Sequence, residues 1–187
     1  MVIVGIDEVG RGCWAGPVVA GAVVLGMPIE GLTDSKLLTK KQRQRLAAEI
    51  QTKALATGLG WVEAAMVDEL GITAAVRLAM QRALAEISID YEEIIIDGQL
   101  NFLAENVKAR ALVKADLSVP AVSAASIIAK VARDQYMADL AASYPQYGFD
   151  KHVGYGTALH LAMLKLHGVS DLHRRSYKPV AALLELN

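Results

Sequence analysis

The sequence holds a single cysteine, Cys13, so no disulfide can form within the chain. That suits a reducing compartment, and a cytoplasmic protein is expected. Aromatic residues make up only 5% of the chain, so the core must be built largely from Ala, Val, Leu and Ile. No run of about 18 apolar residues occurs, and no basic segment leads into an apolar one at the start. Neither a membrane span nor an export signal is therefore expected. A large excess of charge is missing too, since the formal net charge is −1. Any contact with nucleic acid must then come from a local basic surface. There is no internal repeat and no low-complexity tract.

What is present is 53% hydrophobic residues in a chain of 187, enough for one domain with a full core. The spacing predicts strands over 2–8, 17–25, 58–65, 93–97 and 112–116. It predicts helices from Thr39 toward Leu55, over 72–87, over 121–142, over 157–167 and over 178–186. Residues 143–156 read as a loop, and the part from about 144 to 187 reads as a helical C-terminal extension of the one domain. Strands first, then helix–strand alternation, then helices, give an α/β reading: a mixed sheet flanked by helices.

The first strand, with Val2, Ile3, Val4 and Ile6, ends on two adjacent acids, Asp7 and Glu8. Two further predicted strands end on acids, Asp97 and Asp116. Ligands of open α/β sheets gather at strand ends. Four carboxylates meeting there suit Mg²⁺ or Mn²⁺ rather than zinc, and a two-ion site of that kind serves phosphodiester hydrolysis. Neighbouring side chains on a strand point to opposite faces. Asp7 and Glu8 can share one site only if the strand breaks or one of them contributes differently. Each acid also has a plainer reading, Asp97 as a turn residue before Gly98 and Asp116 as a surface acid or cap.

Gly10–Arg11–Gly12 reads either as a tight hairpin or as backbone left bare for close approach to a sugar–phosphate. Ser35 and Lys36 offer a hydroxyl and a cation to a phosphate. Lys40, Lys41, Arg43 and Arg45 continue a basic run that could equally be a solvated helix face. His152, His160, His167 and His173 lack the spacing and cysteine partners of a zinc site and read as structural or surface residues.

Taken together, these blocks resemble the bacterial ribonuclease HII family, the type 2 ribonucleases H. The resemblance runs through GIDEVGRG with AGPVVAGAVVL, LTDSKLL at 32–38, IIIDG at 94–98 and KADLSVPAVSAASIIAKVARDQYM at 114–137. It continues through YPQYGFDKHVGYGT at 144–157 and HLAMLKLHGVSDLHRRSYKPV at 160–180. It implies a ribonuclease H-like fold, a five-stranded mixed sheet with flanking helices. It implies a metal-dependent endonuclease, using Mn²⁺ or Mg²⁺ at a two-metal site, that cuts the RNA strand of RNA–DNA hybrids. It also implies incision 5′ to single ribonucleotides in duplex DNA, leaving a 3′-hydroxyl and a 5′-phosphate. The family's acidic site maps onto Asp7, Glu8, Asp97 and Asp116, with Asp134 as the competing candidate for the fourth carboxylate. Gly10, Arg11 and Gly12 fall where the family senses the ribose 2′-hydroxyl. Tyr155 falls where a tyrosine packs on the neighbouring deoxyribose, and Ser35 and Lys36 fall at phosphate contacts. A chain end reading LLELN shows no clamp-binding motif, and a monomer is expected. The alternatives are another nuclease on a similar fold that cuts DNA, or a hybrid-binding module without catalysis.

Overall fold

The computed structural model describes residues 1–185. Residues 186 and 187, which carry the last position of the expected terminal helix and the end of the LLELN tail, lie outside the described residues. Five strands form one sheet: β1 (Ile3–Val9), β2 (Val18–Leu25), β3 (Ala54–Val62), β4 (Glu93–Asp97) and β5 (Ala109–Leu112). The order across the sheet is β3-β2-β1-β4-β5. β1 pairs antiparallel with β2 and parallel with β4, and β4 pairs parallel with β5. This is the five-stranded mixed sheet of the ribonuclease H-like fold. The parallel trio delivers the C-terminal ends of β1, β4 and β5 to one edge of the molecule.

The flanking helices are α1 (Lys40–Lys53), α2 (Ala64–Leu70), α3 (Ile72–Ala85), α4 (Ala115–Ser118) and α5 (Pro120–Leu140). Three short helices follow: α6 (Phe149–His152), α7 (Ala158–His167) and α8 (Lys178–Leu184). Thr39 caps α1 in a reciprocal capping box with Gln42. One face of the sheet is covered by α3, whose Val76, Ala79, Met80 and Ala83 pack with Val4 and Ile6 of β1. The other face is covered by α5, which begins at Pro120, a residue suited to a first helical turn. The small residues of α5 let it lie directly on β1. A Cβ on Gly5 would sit 2.2 Å from the backbone of Ala121, so only glycine admits this approach. A separate apolar cluster in the C-terminal part gathers Tyr147, Phe149 and Leu164 with Ala15 and Met137.

Several boundaries differ from the sequence reading. β3 starts at Ala54 rather than 58, because the chain leaves α1 directly into register with Leu25. α2 lies within a stretch to which no helix was assigned, and α6 forms one turn inside the expected loop 143–156. The largest correction concerns the last strand. β5 covers 109–112, not 112–116. Lys114 then takes a left-handed conformation (φ 57°) and turns the chain into α4, so Asp116 sits on a one-turn helix and not at a strand end.

Candidate active site

β1 continues unbroken through both Asp7 and Glu8 to Val9. The alternation of a regular strand therefore applies. Asp7 shares the α5 face with Gly5, and Ser126 of α5 pulls its carboxyl's pKa down against the larger effect of burial. Glu8 shares the opposite face with Val4 and Ile6. There it meets Arg11 at 3.2 Å and lines a cleft of about 340 Å³ with Arg11, Asp97, Gly98 and Phe102. The strand need not break, because the site lies off the end of the sheet where both faces can be reached.

Asp97 is the hub. Ile96 of β4 is in register with Ile6 of β1, which sets Asp97 beside Asp7 at the ends of two parallel strands. Electrostatic coupling to Asp97 is felt by Asp7, by Glu8 and by Asp116. One oxygen of Asp97 accepts the backbone N–H of Ala115 at 2.8 Å, which ties β4 to α4. Ser123 of α5 donates to the carbonyl of Asp116 at 2.6 Å and holds α4 from the other side. The left-handed turn at Lys114 thus does what a fifth strand end was expected to do.

These acids are poorly compensated. Burial pushes the Asp7 carboxyl well above its usual range, and the neighbouring Glu8 charge adds to this. Burial also raises Glu8, against the pull of Arg11. Asp116 is raised by burial, then by Asp97 and Asp34, while Lys36 pulls it down. Like charges held together in a low-dielectric setting shift in this direction. Among the described residues, no set of three or more His, Cys, Asp or Glu side chains is gathered closely enough to hold a metal ion. The donor set nevertheless fits a hard divalent cation: four carboxylates of three elements, coupled through Asp97, with too few cations of the chain's own.

Asp134 stands apart. It pairs with Lys130 at 2.9 Å on α5, and its charge is felt at Tyr155 rather than at the acids. Ser35 is also placed differently from the sequence expectation. Its hydroxyl is buried against that of Ser126 at 2.9 Å. The short turn Ser35–Leu37, capped by Asp34, directs it inward. Lys36 remains exposed, 3.7 Å from Asp34 and within electrostatic reach of Asp116. In the basic run, Arg43 donates to the carbonyls of Ser35 and Leu38, and Arg45 pairs with Glu49. Lys40 and Lys41 stay exposed.

The turn after β1 contrasts its two glycines. Gly10 is required by the fold: φ is +94°, and a Cβ would lie 2.4 Å from the Arg133 side chain. Gly12 is exposed, its φ is ordinary, and a Cβ there would meet nothing within 4 Å. Among the described residues, no contact demands a glycine at 12. The turn is placed against Tyr155 by an isolated bridge between Cys13 and Tyr155. The Tyr155 ring is partly exposed, with the Lys130 ammonium 5.1 Å from its centroid. Burial, with Cys13 next to it, pushes the Tyr155 hydroxyl up to about 12, so it stays protonated at neutral pH.

Three of the expected histidines are structural. His152 and His160 stack at 4.2 Å, and His160 and His173 share a hydrogen bond of 3.0 Å. The supporting residues missed by the sequence reading are Ser126, Arg133, Arg174 and Tyr177. The last two sit in RRSYKPV, inside a matching block, but nothing local marks them as reaching the first turn.

Comparisons with known proteins identify the family and the fold. The family model described as Ribonuclease HII matches residues 4–180. A curated protein of that name from Marinomonas sp. (strain MWYL1) is 50% identical over 98% of this chain and 94% of its own length. One from Aliivibrio fischeri (strain MJ11) is 54% identical over 96% of this chain and 87% of its own. Among solved structures, the ribonuclease H2 from Pyrococcus horikoshii OT3 superposes with a TM-score of 0.85 at 27% identity, covering 100% of this chain and 98% of that one. The Bst-RNase HIII structure in complex with Mn²⁺ shares the fold at a TM-score of 0.73 and 21% identity, covering 100% of this chain and 70% of that one. Sequence, sheet order and the full-length match together make this chain a member of the ribonuclease HII family of ribonuclease H enzymes.

Proposed function

We propose that the chain is a divalent-metal-dependent endonuclease that hydrolyses the RNA strand of RNA–DNA hybrids and nicks duplex DNA 5′ to a single embedded ribonucleotide. The observation that carries this reading is that strand register sets Asp97 beside Asp7 and that Glu8 and Asp97 share a cleft with Arg11, next to the exposed Gly12. Asp7, Glu8, Asp97 and Asp116 would hold Mg²⁺ or Mn²⁺, in a two-ion arrangement. Bound there, such ions supply charge neutralisation at the scissile phosphate and a lowered pKa for water, leaving 3′-hydroxyl and 5′-phosphate ends. A Mn²⁺ complex is known for Bst-RNase HIII, which shares this fold.

The chain's own groups do the rest. Ser126, backed by Ser35, orients the Asp7 carboxyl; the Ala115 N–H orients that of Asp97. Gly10–Arg11–Gly12 presents backbone groups to the ribose, where a 2′-hydroxyl can both donate and accept. Tyr155, neutral and half open, stacks on the adjoining sugar. Lys36, Lys40 and Lys41 take phosphates, so binding weakens with added salt. A sugar-reading turn of this kind is indifferent to base sequence. The Archaeoglobus fulgidus relative, at 27% identity, was solved as a complex with PCNA. Our reading lets one copy act alone in the cytoplasm, as a single catalytic domain.

The test is cleavage of a labelled DNA duplex carrying one ribonucleotide, with and without Mg²⁺ or Mn²⁺, beside an all-DNA control. Metal-dependent nicking 5′ to the ribonucleotide with the control intact is expected. Cutting of a long hybrid alone would discard the roles of residues 10–12 and Tyr155. Cutting of the all-DNA control would favour a DNA nuclease, and no cutting of any substrate a binding module.

A further inference from the structure

Arg174 is fully buried, yet among the described residues no carboxylate pairs with it. A buried guanidinium is costly unless its donors are met. Here they are met by backbone carbonyls far back in the chain. Its Nε and Nη2 donate to the carbonyl of Gly16 at 3.1 and 2.9 Å, and its Nη1 donates to the carbonyl of Arg11 at 3.0 Å. The same Nη1 donates to the Tyr177 hydroxyl at 3.0 Å, and that hydroxyl donates to the carbonyl of Arg11 at 2.5 Å. Two donors therefore converge on one carbonyl oxygen. The Tyr177 ring also lies under the guanidinium, 5.2 Å from it. The segment is anchored behind: Asp68 of α2 accepts the N–H groups of Arg175 and Ser176 at 2.7 and 2.9 Å.

The carbonyl of Arg11 and the N–H of Gly12 belong to one peptide unit. That unit is planar and trans, so its C=O and N–H point in opposite directions. Pinning the Arg11 carbonyl inward aims the Gly12 N–H outward. Among the described residues no acceptor meets that N–H, and the space around Gly12 is open. We propose that Arg174 and Tyr177 are positioning residues that aim the Gly12 N–H at the sugar of the scissile ribonucleotide. The pair touches no reacting atom; it sets the angle of the one peptide that does the reading. Arg133 grips the neighbouring carbonyls of Ala15, Pro17 and Val153, so the turn is clamped from two sides, but only the Arg174–Tyr177 pair holds the residue 11–12 peptide itself.

This rests on the ribonuclease reading above, and the test separates the two. Tyr177→Phe removes one donor and keeps the ring under Arg174. Single-turnover cleavage of the one-ribonucleotide duplex is measured over a range of enzyme concentrations, with Tm beside it. The expected result is a loss of roughly tenfold in the saturating rate, the effect of one lost hydrogen bond. The half-saturating enzyme concentration should stay within about twofold and Tm nearly unchanged. The rate ratio between a ribose and a 2′-fluoro sugar at the scissile position should narrow. Arg174→Lys, which keeps a charge but loses the fork, should show the same narrowing with a lower Tm. A Tyr177→Phe enzyme with wild-type rate and wild-type sugar ratio overturns the proposal and leaves the function standing. Wild-type protein that cuts no ribonucleotide substrate overturns the function first.

Discussion

Two buried polar regions meet at the turn after β1, and they are built on opposite terms. On one side Asp7, Glu8 and Asp116 lie within electrostatic reach of Asp97, with burial and mutual repulsion raising the first three. On the other side Arg133, Arg174, His152, His160 and His173 are equally buried, but backbone carbonyls or neighbouring rings take up their donors. Among the described residues no buried side-chain polar atom is left without a partner. Among those residues the acidic region has only Arg11 against Glu8 and Lys36 within reach of Asp116 as counter-charge. The basic and histidine region has both hydrogen bonds and packing. On the reading proposed above, the acidic region would take cations and a phosphate, and the hydrogen-bonded region would be its support.

The contrast breaks most sharply at Asp97. Asp97→Asn can still accept the Ala115 N–H, so the fold should hold and Tm should stay level or rise slightly as repulsion is relieved. Cleavage should fall by at least roughly a thousandfold. Wild-type cleavage by purified Asp97→Asn would remove the acidic region from the chemistry. Asp116→Asn should behave alike, seen in the same assay.

On the satisfied side the order of effects reverses. Arg133→Ala leaves three buried carbonyls without their donor and opens a void. A loss of about 3 kcal/mol, or a Tm lower by about 10 °C, is expected by calorimetry. An unchanged Tm would mean that water replaces the guanidinium without cost.

The histidines sharpen the comparison through pH. Burial holds His160 and His173 down to about 4, and lowers His152 as well. Folded-state values below the unfolded value mean that the unfolded chain binds more protons. Their stabilisation is then complete above pH 6.5, the ordinary histidine value, and is lost as pH falls toward 4. A drop in Tm on the order of 5 °C across that window is expected. Trp14, whose ring lies 5.6 Å from His160, should report it by fluorescence in a Trp61→Phe background. Loss of the signal without pH dependence would place the histidines outside the support.

The smallest effect belongs to Asp134. Its pair with Lys130 is partly open, and Asp134→Asn should cost under about 1 kcal/mol and slow cleavage less than tenfold. A loss as large as that of Asp116→Asn would make Asp134 the fourth acid after all.

Much of this was legible before any coordinates. Asp7, Glu8 and Asp97 end short apolar runs, and a run that stops on a carboxylate is a local pattern. The N-cap at Thr39 and the face of α3 are local in the same way, set by a few residues along one element. Ser35 reads outward in the sequence because serine beside lysine is a phosphate pattern. Only Ser126, on a helix far along the chain, turns it inward.

By itself the sequence determined the family, the kinds of residue at the site and the central strand that carries its first two acids. These follow from side-chain chemistry and from repeats of two or about four residues along one backbone. Tertiary structure alone decided that Asp116 arrives by a left-handed turn at Lys114, and that Arg174 and Tyr177 grip the carbonyl of Arg11. Each of these depends on which distant segments the sheet and α5 bring together, and no pattern within one segment encodes that distance.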